Sequence, residues 1–287
     1  MNVAVVGVGN MGAPMAACIA RAGHTVTVFD TSREQALKVA AAHGCRAAAS
    51  LDDLAGSQFV VTMLPTGQVV SDVYLRDGLA AKLGAGTIAI DMSSAEPTGT
   101  RKLGATLATR GIVLIDAPVS GGVPRAVLGT LAIMIGGDDK EAIERARPLL
   151  RCMGDRLFDT GGLGTGHAMK ALNNFVAAAG FAACAEALIA GERFGLDPTR
   201  MVEILNVSTG RNFHTDVVLR EQVIGGKFAT GFTLGLLAKD VKIAADLTRE
   251  LKFDAPLVRL VSARFDQARD ALGYGRDNSE AIKAWKD

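Results

Sequence analysis

The sequence predicts an α/β domain, a mostly parallel sheet with helices on both faces, followed by an all-helical domain. Two observations carry that prediction. Over residues 1 to about 160, short β-branched runs alternate with helical stretches, the pattern of strands joined by crossover helices. Past Thr160-Gly161-Gly162 the strand signal disappears, and the remainder reads as helices interrupted by glycine, proline and polar turns.

The strand runs, in order, are residues 3–6, 25–29, 59–64, 87–90, 112–115 and 131–135. Several are apolar throughout rather than alternating, as burial on both faces demands. The helices between them stop at Ala22-Gly23, His43-Gly44 and Arg110-Gly111, where glycine can take a left-handed cap. Later helices break at Gly195-Leu196-Asp197-Pro198, Ser208-Thr209-Gly210 and Phe228-Ala229-Thr230-Gly231. No repeat or low-complexity linker divides the chain. A long helix from about Gly166 is therefore expected to join two domains, 1–162 and 163–287, with the site in the cleft between them.

Composition removes several function classes. Lys plus Arg number 31 against 30 Asp plus Glu, without a basic block, so nucleic acid and acidic membranes are poor partners. Cys18, Cys45, Cys152 and Cys184 form no C-x-x-C pair and the histidines no H-x-x-x-H, so a reduced cytoplasm and no structural metal are expected. Met1-Asn2-Val3 leads straight into an apolar strand, with no basic segment of an export signal before it. The apolar run 171–185 is Ala-rich, holds Asn173 and Asn174 and is short for a membrane span; a helix buried among helices fits it better.

Gly7-Val8-Gly9-Asn10-Met11-Gly12 follows the first strand and opens a helix running to about Arg21, which is the context of a dinucleotide fingerprint. Its glycines permit the tight turn and close approach of a pyrophosphate, while helix N-terminal amides hold the negative charge. The domain thus reads as a Rossmann-type, doubly wound sheet. Asp30 closes the second strand 18 residues past Gly12, placed to bond ribose hydroxyls and repel a 2′-phosphate. NAD is expected ahead of NADP, although Ser32 and Arg33 beside Asp30 could accommodate a phosphate. A Rossmann-like glycine turn with no dinucleotide is the alternative. Met63-Leu64-Pro65-Thr66 and Asp91-Met92-Ser93-Ser94 end two further strands at the same crevice, and Met63 and Leu64 read equally well as core.

Lys170 stands near the start of an apolar helical stretch, 168–190, whose only other charged residue is Glu186. Asn174 follows by four residues, so ammonium and amide project from one helix face. Catalysis exploits the tunable pKa of a partly buried lysine, whereas snorkelling to solvent is the plain alternative. Asp116-Ala117-Pro118-Val119-Ser120-Gly121-Gly122 ends in a hydroxyl and two unhindered amides, which suit a carboxylate or form a simple loop.

Four segments, in order, resemble the β-hydroxyacid dehydrogenase family, which includes 3-hydroxyisobutyrate dehydrogenases and tartronate semialdehyde reductases. They are Val6-Gly7-Val8-Gly9-Asn10-Met11-Gly12-Ala13-Pro14-Met15, the Asp116-to-Gly122 segment, Gly164-Thr165-Gly166-His167-Ala168-Met169-Lys170-Ala171-Leu172-Asn173-Asn174, and Lys239-Asp240-Val241-Lys242-Ile243-Ala244-Ala245-Asp246. The resemblance spans almost the whole chain.

The resemblance implies nicotinamide-linked oxidation of a small 3-hydroxy acid, or reduction of its semialdehyde, with Lys170 as proton donor and acceptor. It implies that Ser120, Gly121 and Gly122 anchor the substrate carboxylate, that Asn174 holds the carboxylate or the hydroxyl, and that Lys239 reaches nicotinamide and substrate. Gly7, Gly9, Asn10, Met11, Gly12, Asp30, Met63, Leu64, Pro65 and Ser94 are the expected cofactor residues. A helical domain that assembles homodimers or homotetramers is likewise carried over, and Asp246 is expected to pack or hydrogen-bond. Some relatives have a tryptophan in the polar turn Ser208-Thr209-Gly210-Arg211-Asn212-Phe213-His214-Thr215; this chain has Phe213. Arg211 and His214 are either readers of a second anionic group or surface residues. Rival readings are an imine reductase, against which Lys170 argues, and a non-catalytic NAD(P)-binding protein on the same fold.

Overall fold

The computed structural model describes Met1–Lys286 in two compact units, which divide between Lys170 and Ala171. In the first, β1 (Asn2–Val6), β2 (Thr25–Phe29), β3 (Arg46–Ala47), β4 (Phe59–Thr62), β5 (Ile88–Asp91), β6 (Val113–Asp116), β7 (Val119–Ser120), β8 (Ala132–Gly136) and β9 (Arg156–Gly161) form one sheet. The run β3-β2-β1-β4-β5-β6 is parallel throughout, β8 is antiparallel to β6 and β7, and β9 returns parallel to β8. This is the doubly wound order, with its reversal point at β1 and β4.

Helices α1 (Gly12–Arg21), α2 (Arg33–His43), α3 (Gly67–Leu75), α4 (Leu79–Lys82), α5 (Pro97–Ala108), α6 (Gly122–Leu128) and α7 (Lys140–Arg151) alternate with the strands. Successive strand residues feed opposite cores. Val3, Val5, Val61, Ile88 and Ile90 join one apolar cluster, while Ala4, Val6, Val60 and Ala89 join the other. Two covered faces are why these strands read as unbroken apolar runs. Full burial of a Val or Ile contributes roughly 1.5–3 kcal/mol, and Ile90→Ala in the central β5 would cost about 2–5 kcal/mol with its cavity.

Strand ends differ from the sequence reading for local reasons. The run expected at 59–64 stops at Thr62, because the Leu64 amide turns to Ser93 Oγ (2.9 Å) and Pro65 has no N–H to offer. Two other strands run one residue further, to Asp91 and Asp116, since these carboxylates occupy ladder positions that an apolar pattern does not register. Short or polar β3, β7 and β9 carry too little periodicity to be read. Ser120 pairs with Ala132 as the last residue of β7.

Helix α8 (Thr165–Phe194) extends well beyond the apolar run seen in the sequence, and its length and composition would suffice for a membrane span. Its Ala178, Phe181, Ala185 and Ile189 are instead spent in the core of the second unit. There α9 (Pro198–Asn206), a π-helix (His214–Ile224), α10 (Leu234–Glu250), α11 (Pro256–Leu272) and α12 (Ala281–Trp285) pack together. The rings of Phe181, Phe265 and Trp285 form its aromatic centre, with centroids 5.3–6.4 Å apart. Asp197 caps α9 just ahead of Pro198, and Thr233 caps α10, so the first and third of the expected breaks are each followed by a capped helix start. The polar turn expected over 208–215 ends early. Asn212 Oδ1 accepts the His214 and Thr215 amides (2.9 and 3.4 Å), and the π-helix starts there.

Candidate active site

The glycine turn is built as a cradle. Gly7 has φ 89°, and a Cβ on it would collide with the Met63 carbonyl; a Cβ on Gly12 would collide with the Gly7 carbonyl. Gly9 and Asn10 are exposed, and nothing lies within 4 Å of a Cβ built on Gly9. Met11 gives α1 no side-chain cap, the Ala13 amide donates to Gly9 O (3.0 Å) and Pro14 has no N–H, so an anion here would be met by the amides of the turn that precedes them. The residues present fit the pyrophosphate of a dinucleotide.

Asp30 has a structural duty of its own. Its Oδ2 accepts the Val8 amide and its Oδ1 the Ser32 amide, both at 2.9 Å, while Gln35 Nε2 donates to Val8 O at 2.8 Å. A carboxylate at the end of β2 thereby pins the glycine turn of β1. Met63 and Leu64 turn out to pack against the two cores, one each, and both border Gly7. Pro65 is exposed and Ser94 partly buried at the neighbouring strand ends. Thr66 caps α3 through the Val69 amide at 3.2 Å.

A buried polar network lies at the start of α8. Asp116, at the end of β6, accepts the Gly164 amide on Oδ1 (2.7 Å) and the His167 amide on Oδ2 (2.8 Å). A carboxylate on N-terminal amides is a charge-assisted cap, worth about 0.5–2 kcal/mol, and it fixes the rotation of the first turn. His167 is fully buried, its Nδ1 2.8 Å from Thr100 Oγ1 and its Nε2 3.7 Å from Asp91 Oδ2. Asp91 in turn accepts from Thr62 Oγ1 at 2.8 Å and the Ser93 amide at 3.1 Å. Lys170 follows one turn later, partly buried. Ser120 is half-buried in the same unit, and Gly121 and Gly122 take φ 134° and 66°, backbone conformations that favour glycine.

In the second unit, Asn174 is buried and its Nδ2 donates to Asp240 Oδ2 at 2.6 Å. Asn173 Nδ2 donates to Asn174 Oδ1 at 3.2 Å. Lys239 Nζ lies 3.0 Å from Asp240 Oδ1. Neighbours on a helix do not face each other, so this contact is an ion pair rather than a well-directed hydrogen bond. Asp246 bridges Lys242 (2.8 Å) and Arg249 (2.9 Å) at the surface.

The residues left open in the sequence are now placed. Arg211 pairs with Asp216 at 3.0 Å, Phe213 is exposed, and His214 is buried with Nε2 2.7 Å from Ala177 O. Burial pushes the His214 imidazole below its usual range, against the opposing pull of Ala177 O. Sequence reasoning gave no role to Asp116, His167 or Asp240, although each lies in a quoted motif; an unexplained acid or histidine inside such a motif was the available signal. Among the described residues no cluster of His, Cys, Asp and Glu has the form of a metal site.

The chain matches known proteins along its whole length. A family model described as the NAD binding domain of 6-phosphogluconate dehydrogenase matches residues 2–162, and one described as NAD-binding of NADP-dependent 3-hydroxyisobutyrate dehydrogenase matches 164–285. The chain is 34% identical to 2-(hydroxymethyl)glutarate dehydrogenase of Eubacterium barkeri, over 100% of this chain and 95% of the relative. It is 35% identical to 3-hydroxyisobutyrate dehydrogenase of Pseudomonas aeruginosa, over 99% and 98%. The solved structure of Mycobacterium tuberculosis 3-hydroxyisobutyrate dehydrogenase with L-serine superposes with a TM-score of 0.92 at 33% identity, covering 100% of this chain and 99% of that one.

Proposed function

The chain belongs to the β-hydroxyacid dehydrogenase family, and from that premise we propose that it oxidises a small 3-hydroxy acid, or reduces the matching semialdehyde, with Lys170 as general acid/base. It is an NAD(P)-dependent oxidoreductase acting on a CH–OH group. The observation that carries the finer reading is the lock on α8: Asp116 fixes the helix start, Lys170 stands in its second turn, and Asn174, held by Asp240, stands one turn further.

A nicotinamide dinucleotide held by the glycine turn would supply the hydride chemistry at the carbinol or aldehyde carbon. The chain's own residues supply binding and one proton. Ser120 Oγ and the Gly121 and Gly122 amides hold the substrate carboxylate. Lys170 Nζ takes the hydroxyl proton as the carbonyl forms, and gives it back in reduction. Asn174 orients the hydroxyl beside Lys170, and Lys239 adds positive charge at the carboxylate. Gly7, Gly9, Asn10, Met11 and Gly12 cradle the pyrophosphate, and Asp30 favours NAD over NADP by repelling a 2′-phosphate.

Homo-oligomerisation belongs to the same reading. Leu172 and Val176 on α8 and Leu257 and Leu260 on α11 are exposed apolar side chains of the kind a second copy would cover. Four free cysteines suit a reduced cytoplasm. The test of function is a panel of 3-hydroxyisobutyrate, 3-hydroxypropionate, 4-hydroxybutyrate, glycerate and serine, run with NAD and NADP in parallel. Turnover of at least one 3-hydroxy acid, faster with NAD, is expected; reduction of cyclic imines in preference to all of them would reject the hydroxyacid reading.

A further inference from the structure

We propose that Arg125 selects substrates bearing a second acidic group, so that the preferred 3-hydroxy acid is a dianion. The inference rests on the hydroxyacid reading above and deepens it. Gly121 is a glycine for two reasons. Its φ of 134° disfavours any side chain, and a Cβ there would stand 2.5 Å from Arg125 Cδ, 2.8 Å from its Cβ and 3.1 Å from its Cγ. The arginine stem therefore lies across the backbone of the carboxylate-binding segment. That direction is dictated by the helix: side chains lean toward the N-terminus, and Arg125 sits in α6 just past Gly121 and Gly122.

The charge at the end of that stem is uncommitted. Arg125 is exposed, and among the described residues no carboxylate pairs with it, in contrast to Arg147, held by Glu144 and Asp159. The two residues that the sequence offered for a second anion are engaged elsewhere: Arg211 Nε is held by both oxygens of Asp216 (3.2 and 3.0 Å), and His214 is buried against Ala177 O. A guanidinium presents parallel N–H donors that match a carboxylate in a bidentate fork. A stem already laid over Gly121 loses less freedom on binding than an arginine waving in solvent. With Ser120 and the Gly121 and Gly122 amides taking one carboxylate, Arg125 is placed to take the other.

The experiment compares three 3-hydroxy acids that share the reacting end: 3-hydroxyisobutyrate, 2-(hydroxymethyl)pentanoate and 2-(hydroxymethyl)succinate. The last two are of similar length, and only the succinate carries a second charge. In the unaltered enzyme kcat/KM for the succinate should exceed that for the pentanoate by about tenfold or more, an advantage that shrinks with added salt. Arg125→Gln should bring the ratio near unity through KM, while Arg125→Lys keeps part of it. Circular dichroism of each variant checks the fold. Turnover of the monoanions with no preference for the succinate, or an equal loss on all three substrates in Arg125→Gln, would overturn the assignment while leaving the hydroxyacid reading intact. Absence of turnover with any 3-hydroxy acid would reject both.

Discussion

Asp240 holds the side-chain amide of Asn174 at 2.6 Å, in a buried contact between two helices of the second unit. The carboxylate determines which way the amide points, because Nδ2 must face Asp240 and Oδ1 then faces Asn173. The Asn174 amide is thus held in one orientation. A charge-assisted bond of this kind is worth about 1.5–3 kcal/mol. Asp240→Asn should lower kcat/KM by roughly tenfold to a hundredfold. In a double-mutant cycle with Asn174→Ala the losses should be far from additive; additive losses would separate Asp240 from the amide.

Lys170→Ala should reduce kcat by about 10²- to 10⁴-fold, the usual contribution of a positioned acid/base. Binding of NADH, followed by its fluorescence, should stay within about twofold, since the cradle is made by other residues. Substantial turnover in the variant would remove Lys170 from the chemistry.

Asp30→Ala removes two backbone restraints and one negative charge together. Affinity for NAD should fall about tenfold or more, and the NADP-to-NAD ratio of kcat/KM should rise. A higher ratio with unchanged NAD affinity would mean that pinning the glycine turn contributes nothing.

Asp116→Ala strips the cap from α8 and leaves the Gly164 and His167 amides buried without an acceptor. The expected cost is about 2 kcal/mol or more, a fall in Tm of several degrees by calorimetry. A Tm within one degree or so of the unaltered protein would show that water replaces the carboxylate at no cost.

His214 should make stability sensitive to mild acid. Its Nε2 donates to Ala177 O, so protonation must occur at Nδ1, which is buried and has no partner. Burial, the larger influence, depresses its folded-state pKa below the ordinary 6.5. Above that value both states are neutral and the contribution is fully present. As pH falls below 6.5 the unfolded chain takes up a proton that the folded chain does not, and stability is lost until the depressed folded-state pKa is reached, where both states are protonated. Tm should therefore drop more steeply below pH 6.5 in the unaltered protein than in His214→Gln. Parallel Tm profiles would count against this.

The architecture was legible because it depends on periodicity and on glycine chemistry. Unbroken apolar runs gave six of the strands, and Gly7, Gly9 and Gly12 marked the turn between the first strand and its helix. Lys170 and Asn174 could be paired because helical geometry places residues four apart on one face. The partners of those residues were illegible. Asn174 meets Asp240 across 66 residues and His167 meets Asp116 across 51, separations at which spacing carries no information about contact.

The sequence by itself determined the doubly wound sheet, the helical second half and the family, and it named the candidate site residues, since each rests on local backbone preference or on motifs of adjacent residues. Only the tertiary structure decided what holds the site in place. It assigned Asp116 to the start of α8, Asp240 to Asn174, Asp30 to the glycine turn and the Arg125 stem to the space above Gly121. Burying polar side chains demands partners wherever the fold brings them, and that demand is settled in three dimensions rather than along the chain.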